Sequence, residues 1–300
     1  MFKIINYSLI VLSSLWLNAC SILNNDERIN PDYVILEKPL EVSEIAQVEA
    51  IKLARSSEIM DLDAVGQAQV FYSLALAYEK LGLTIFNIGA LGKAINLYPM
   101  EPSFYVYMGN ILALEDKYAE AFEAFNSAIE LEPNLTEVYG FRGLASIYAN
   151  KVIVARDDLL KNYEIDKNDP YRILLLYFAE TKLNDPNINS KSLLEERYNN
   201  ITQTTKNIWM NEIIEVILGL KDEKEFWEHV LDGRDGDLRA EILCESYYYL
   251  GKYYELMGQK NKAQDYFKLS MMTNVVYFIE YRYSLKEINR FEKNQTVSID

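Results

Sequence analysis

Residues 102 to 133 read PSFYVYMGNILALEDKYAEAFEAFNSAIELEP, and this stretch decides the fold. Tyr105, Met108 and Leu112 recur at helical spacing and share one face. Gly109 sits beside them, where a helix interior loses about 1 kcal/mol relative to alanine. That loss implies close packing against a neighbour. Asp116 marks a turn, because aspartate tolerates a left-handed helix end. A second helical pattern follows through Ala121, Phe125 and Ala128, and Pro133 stops it. The stretch is a helical hairpin. Residues 68 to 99 and 136 to 167 repeat it, with Phe71, Tyr105 and Tyr139 in one slot at intervals of 34. A further copy begins near Cys244 and places Tyr247 in that slot.

A period of 34 with this hairpin resembles the tetratricopeptide repeat. The resemblance implies an all-α, right-handed superhelical solenoid with a concave binding wall rather than a closed catalytic pocket. Gly109, Gly143 and Gly251 mark close helix approaches in the first helices, and Ala121, Ala155 and Ala263 do so in the second. Gly82, Asp116, Asn150 and Gly258 fall at the turns. The copies are not equal. Asn87 replaces the alanine of the first, and Arg142 and Ser146 replace apolar residues in the third. Tyr139 and Tyr247 lie 108 residues apart, enough for two diverged hairpins and a short insertion.

The boundaries that follow are a leader at 1–19, a tether at 20–42, an N-terminal lone helix at 43–64 and three repeats at 65–168. Two diverged hairpins at 169–237, a fourth repeat with a C-terminal capping helix at 238–288 and a flexible tail at 289–300 complete the chain. An unpaired amphipathic helix at the N-terminus must cover either repeat one or a second subunit.

Composition supports helix, since glycine (12) and proline (7) are scarce and no long run alternates with period two. The formal charge of −15 disfavours nucleic acid and anionic lipid, and points to basic or neutral protein partners or simply to solubility. Cys20 and Cys244 are the two cysteines, too few for a disulfide framework or a metal site.

The N-terminus, MFKIINYSLIVLSSLWLNAC, carries Lys3 and then an apolar run too short to span a bilayer. Leu17-Asn18-Ala19-Cys20 resembles a bacterial lipobox, with Asn18 the one departure. That resemblance implies cleavage before Cys20, acylation of Cys20 and, with Ser21 following, transfer to the outer membrane. Two or more acyl chains would anchor stably. The alternative is an ordinary signal peptide with a chance cysteine.

Chemistry-bearing motifs are missing. His229 is the single histidine and reads as a solvated surface residue. Asp232, Asp235 and Asp237 suggest a calcium loop, but Arg234 and Arg239 interrupt the ligand alternation. No nucleophile elbow, phosphate loop or dinucleotide fingerprint occurs. We therefore expect no enzyme activity, no metal and no cofactor. The candidate partner-binding groove consists of first-helix residues outside the hairpin seam: Tyr72, Leu76, Glu79 and Lys80, then Val106 and Asn110, Leu144 and Ile147, and Tyr248 and Lys252. The competing reading of each is inter-repeat core.

Two stretches carry a more specific likeness: ARDDLLKNYEIDKNDPYRILLLYFAETKL at 155–183 and YLGKYYELMGQKNKAQDYFKLSM at 249–271. They resemble the NlpI-type lipoproteins, tetratricopeptide proteins of the gammaproteobacterial outer membrane. The resemblance implies a homodimeric periplasmic adaptor. Such adaptors dock a processing protease of the Prc type, deliver murein endopeptidases to it and gather other peptidoglycan enzymes, with consequences for cell division. The alternative is a tetratricopeptide assembly lipoprotein for outer-membrane proteins or type IV pili.

Overall fold

Hairpin follows hairpin along the chain, and every described element is a helix. The computed structural model describes residues 41–55, 61–202, 208–232 and 236–297. Cys20, residues 21–40 of the tether and Asp235 of the acidic loop lie outside them. Helix α1 (Glu41–Arg55) stands first. Three hairpins follow: α2 (Ala64–Lys80) with α3 (Thr84–Leu97), α4 (Pro102–Leu114) with α5 (Tyr118–Leu131), and α6 (Glu137–Tyr148) with α7 (Val152–Ile165). Then come α8 (Pro170–Leu183) with α9 (Ser190–Asn199) and α10 (Ile208–Leu218) with α11 (Glu223–Leu231). Helices α12 (Gly236–Leu256) and α13 (Lys260–Met272) form the last hairpin, and α14 (Ile279–Val297) ends the fold. Each hairpin packs within itself and against the next, so the core runs as linked clusters along the stack.

The repeat slots have the geometry their residue types require. A Cβ on Gly109 would lie 2.6 Å from the Phe125 ring, one on Gly143 2.6 Å from Leu159 Cγ, and one on Gly251 2.8 Å from the Phe267 ring. The turns at Gly82, Asp116, Asn150 and Gly258 all take positive φ, between 56° and 77°. Asn184 after α8 and Gly219 after α10 do the same, which marks the diverged hairpins as variants of one design. Proline at the first position of α4 and α8 fixes φ where no N–H partner is needed.

The polar residues of the third repeat and of the two diverged hairpins form a register of their own. Arg142 and Asp158 pair across α6 and α7, with Nε to Oδ2 at 2.7 Å and Nη2 to Oδ1 at 2.8 Å. Arg197 and Glu180 pair bidentately across α8 and α9 at 2.7 and 2.8 Å. Glu212 meets His229 Nδ1 at 2.7 Å across α10 and α11. Arg142, Glu180 and Glu212 each stand three residues after an aromatic, Tyr139, Tyr177 and Trp209. A polar pair thus replaces the apolar seam contact in three successive hairpins, and it is an ion pair in the first two. Buried partners of this kind satisfy each other but cost more than an apolar pair to bring out of water.

The two ends differ from simple caps. Helix α1 lays Ala46 and Ala50 against repeat one and leaves Ile45, Val48 and Ile51 exposed at 59%, 68% and 45%. Helix α14 runs on to Val297 instead of ending at 288, because 285–297 contains no helix breaker. It also does more than cover the last unit. It contacts α4, α12 and α13, and Arg282 reaches Glu79 of repeat one at 2.6 Å. The last helix therefore lies back across the first-helix side of the stack.

Candidate functional site, the wall beneath the last helix

Helix α14 covers the wall that the repeat pattern assigns to partners. Of the ten groove residues, Val106, Asn110, Leu144, Ile147, Tyr248 and Lys252 are buried within the chain. Tyr72, Leu76 and Glu79 are half-buried, and Lys80 is exposed. Tyr72 stacks obliquely on Phe104 with ring centres 4.9 Å apart, and Val106 belongs to the core shared by repeats two and three. Burial of these six follows from α14 and the neighbouring hairpins, whose side chains fill the slots an open solenoid would present.

Cavities lie along this wall, and two of them matter here. The larger, of about 640 Å³, brings Glu79, Ile147 and Lys252 together under α14. Its floor comes from the C-terminal ends of the first helices and their turns, at Leu114, Asp116 and Tyr148. Its roof is the stripe Arg282, Lys286 and Arg290, spaced by four on one face of α14. Arg282 holds Glu79; Lys286 holds Asp116 and lies 3.2 Å from the carbonyls of Ala113 and Leu114. Arg290 and Lys252 share Glu255 and Glu287, with Lys252 Nζ 2.6 Å from a carboxylate oxygen of each. Tyr283 stacks on Tyr148 at 4.5 Å. This stripe was legible in the sequence as an Arg-Lys-Arg series at i, i+4 and i+8, but only the fold reveals which carboxylates it meets.

Burial governs the electrostatics here. Glu79 is raised to about 6, chiefly by desolvation, with Arg282 opposing. Burial also raises Glu255, but Lys252 and Arg290 overcome it and hold the carboxyl down to about 2. Lys182 is lowered by burial and by the charges of Lys252 and Arg290.

The smaller cavity, of about 270 Å³, is lined by Leu144 and Tyr248 together with Phe141, Tyr171, Tyr249 and Glu280. Glu280 is buried, and burial with the nearby Glu245 charge raises its pKa. Glu245 is raised by burial too, and accepts from Tyr171 Oη at 2.6 Å and Trp209 Nε1 at 2.8 Å. These contacts tie α8, α10, α12 and α14 into one cluster.

Elsewhere the residues of chemical interest are held structurally. The side chain of His229 is 54% exposed and rests on Glu212. Cys244 is buried, its thiol pushed up to about 12 by burial, with Sγ 3.5 Å from Ser270 Oγ. Among the described residues no cluster of His, Cys, Asp or Glu could hold a metal ion, and no helix is long and apolar enough to cross a membrane.

Residues 102–135 match the tetratricopeptide-repeat family. The chain carries a tetratricopeptide repeat. Its architecture is an all-α solenoid of such hairpins. Among solved structures it is similar to YrrB, a tetratricopeptide protein described as having an unusual peptide-binding site, at 12% identity and a TM-score of 0.40, covering 81% of this chain and 99% of that one. It is similar to Pseudomonas aeruginosa pilF at 14% and 0.41, covering 82% and 98%. It is also similar to the C-terminal part of a tetratricopeptide protein from Cytophaga hutchinsonii at 16% and 0.43, covering 77% and 89%. Likeness this loose carries no function across. The repeats indicate an interaction adaptor or scaffold.

Proposed function

We propose that this chain is a non-catalytic adaptor, lipid-anchored through Cys20 to the outer membrane and facing the periplasm. It seats a processing protease of the Prc type and murein endopeptidases together, and so regulates endopeptidase turnover, cell-wall remodelling and division. The observation that carries the adaptor reading is the stack of hairpins, which offers a long side surface for protein contacts. The envelope partners rest on the NlpI-type likeness of 155–183 and 249–271. The exposed Ile45, Val48 and Ile51 stripe on α1 supports the homodimer, since an apolar helix face of this kind gains by meeting a second copy.

Turnover tests this reading. A Prc-type protease and a murein endopeptidase are mixed with and without the purified protein, and endopeptidase loss is followed in time. Faster loss with the protein present is the expected result. Equal loss in both mixtures contradicts the proposal.

A further inference from the structure

We propose that the smaller cavity is a site for a small free organic cation, a methylated ammonium enclosed by tyrosine rings and paired with Glu280. The site is separate from the adaptor reading and takes no peptide.

The first observation is the isolation of Glu280. Among the described residues five acidic side chains are buried: Asp158, Glu180, Glu212, Glu280 and Glu287. Four of them have a cation of their own. Asp158 has Arg142, Glu180 has Arg197, Glu212 has Lys221 and Glu287 has Lys252, at 2.6 to 3.0 Å. Glu280 has no cation within ion-pair distance among the described residues, and only the Tyr249 hydroxyl reaches it from another side chain, at 3.4 Å. A buried carboxylate in this position must keep its proton or take a cation from outside. The way in is open. Glu280 lines the cavity and keeps 7% of its surface exposed, and neither of its oxygens is a sealed atom without a partner.

The second observation is the set of rings around it. Tyr171 and Tyr249 meet at 65° with centres 5.8 Å apart, and Tyr248 and Tyr249 meet at 82° with centres 5.2 Å apart. All three line the cavity, so it has aromatic walls set steeply to one another. The hydroxyls of Tyr171 and Tyr248 are tied to Glu245 and Tyr148, which fixes the rings. Aromatic faces attract cations. A primary ammonium needs an acceptor for each of its three N–H groups, whereas a methylated one leaves none unsatisfied. The remaining charges agree. Glu137 and Asp169 also line the cavity, and Arg172, the one cation lining it, is held by Asp169 and by the Asn162 carbonyl. A chain of net charge −15 draws cations towards it. The volume of about 270 Å³ lies just below the range of drug-sized ligand sites, which suits a head-group-sized molecule.

The pair sets a pH dependence. Burial and Glu245 hold a proton on Glu280, and a bound cation sends that proton to solvent, so affinity should rise with pH. The titratable groups that feel the Glu280 charge are Cys244, Tyr248 and Tyr249 on α12 and Tyr171 on α8, with Glu245 on α12 acting on Glu280 in turn. No residue of α4 or α13 lines the cavity.

The test is isothermal titration calorimetry on the full-length purified protein, with choline chloride as the probe and sodium chloride as the blank. Choline is expected to bind at one site and more tightly at pH 9 than at pH 6. Its neutral carbon isostere, 3,3-dimethylbutan-1-ol, is expected to bind about tenfold or more weakly. Equal binding of the two overturns the proposal, as does ethanolamine binding more tightly than choline. Glu280→Gln keeps the shape and removes the charge, and is expected to lose about tenfold or more in choline affinity with helix content unchanged. Unaltered affinity in that variant overturns the pairing. Tyr171→Phe keeps the ring and is expected to bind choline, while Tyr171→Leu is expected to bind it about tenfold more weakly. Equal loss in both variants would assign the effect to the hydroxyl and overturn the aromatic site. Phosphatidylcholine vesicles that bind the protein and resist displacement by free choline would make the ligand a lipid surface and overturn the small free cation.

Discussion

At the scale of single residues, glycine carries two opposite roles in the same fold. A Cβ on Gly109 would fall 2.6 Å from the fully buried Phe125 ring, so an added methyl must displace that ring. Gly109→Ala is expected to destabilise the protein by about 1–2 kcal/mol, overpacking outweighing the gain in helix propensity. A Cβ added at Gly89 in α3 would meet no neighbour within 4 Å, so Gly89→Ala is expected to stabilise by about 0.5–1 kcal/mol. Urea denaturation of the two variants checks the contrast, and equal signs would contradict it. The ion pair of α6 and α7 gives a second test. Arg142→Met alone leaves Asp158 buried and unpaired and is expected to cost about 3 kcal/mol. Adding Asp158→Ala recreates repeat two, which has Met108 and Ala124 in those slots, and is expected to return most of the loss. Additive losses in the double variant would show that the pair does not act as a unit.

At the scale of elements, the underside of α14 makes stability depend on pH. Glu79 at about 6, and Glu245 and Glu280, are raised, in each case first by burial. A carboxyl whose folded pKa exceeds its unfolded value binds its proton more tightly when folded, so it adds stability as pH falls and subtracts it as pH rises. Glu255 at about 2 acts the other way, and its contribution disappears as pH falls below the ordinary carboxylate range. The thermal midpoint is therefore expected to rise from about pH 8 to about pH 5 and to fall below about pH 4. Glu280→Gln should raise the midpoint more at the upper pH than at the lower; a uniform shift would contradict the assignment.

The hairpins were legible because each slot demands a residue type, as at Gly109, Gly143 and Gly251. The turns were legible for the same reason, at Gly82, Asp116, Asn150 and Gly258. The path of α14 was not. Its contacts join residues about two hundred positions apart, as Arg282 and Glu79 show, and no local pattern encodes such a pairing. For Val106, Leu144 and Tyr248 helical spacing gives a face but not what lies upon it, so groove and inter-repeat core stood as competing readings, and all three are buried.

At the scale of the whole molecule, the fold is a stack with one end returned to the other, and α1 carries an exposed apolar stripe of Ile45, Val48 and Ile51. If α1 joins two copies, then Ile45→Asp combined with Val48→Asp is expected to convert dimer to monomer in sedimentation, with helix content unchanged. A dimer that survives both changes would place the interface elsewhere. The central claim is that this stack grips other proteins along the side that α14 crosses. Photo-crosslinking in intact cells tests it most directly, with the crosslinker placed at Lys80, Leu285 or Asn289 on that side, and at Glu123 or Lys268 on the second helices of their hairpins. The account predicts protein adducts from the first three positions and few from the other two. Adducts confined to Glu123 and Lys268, or none from any position, would contradict it.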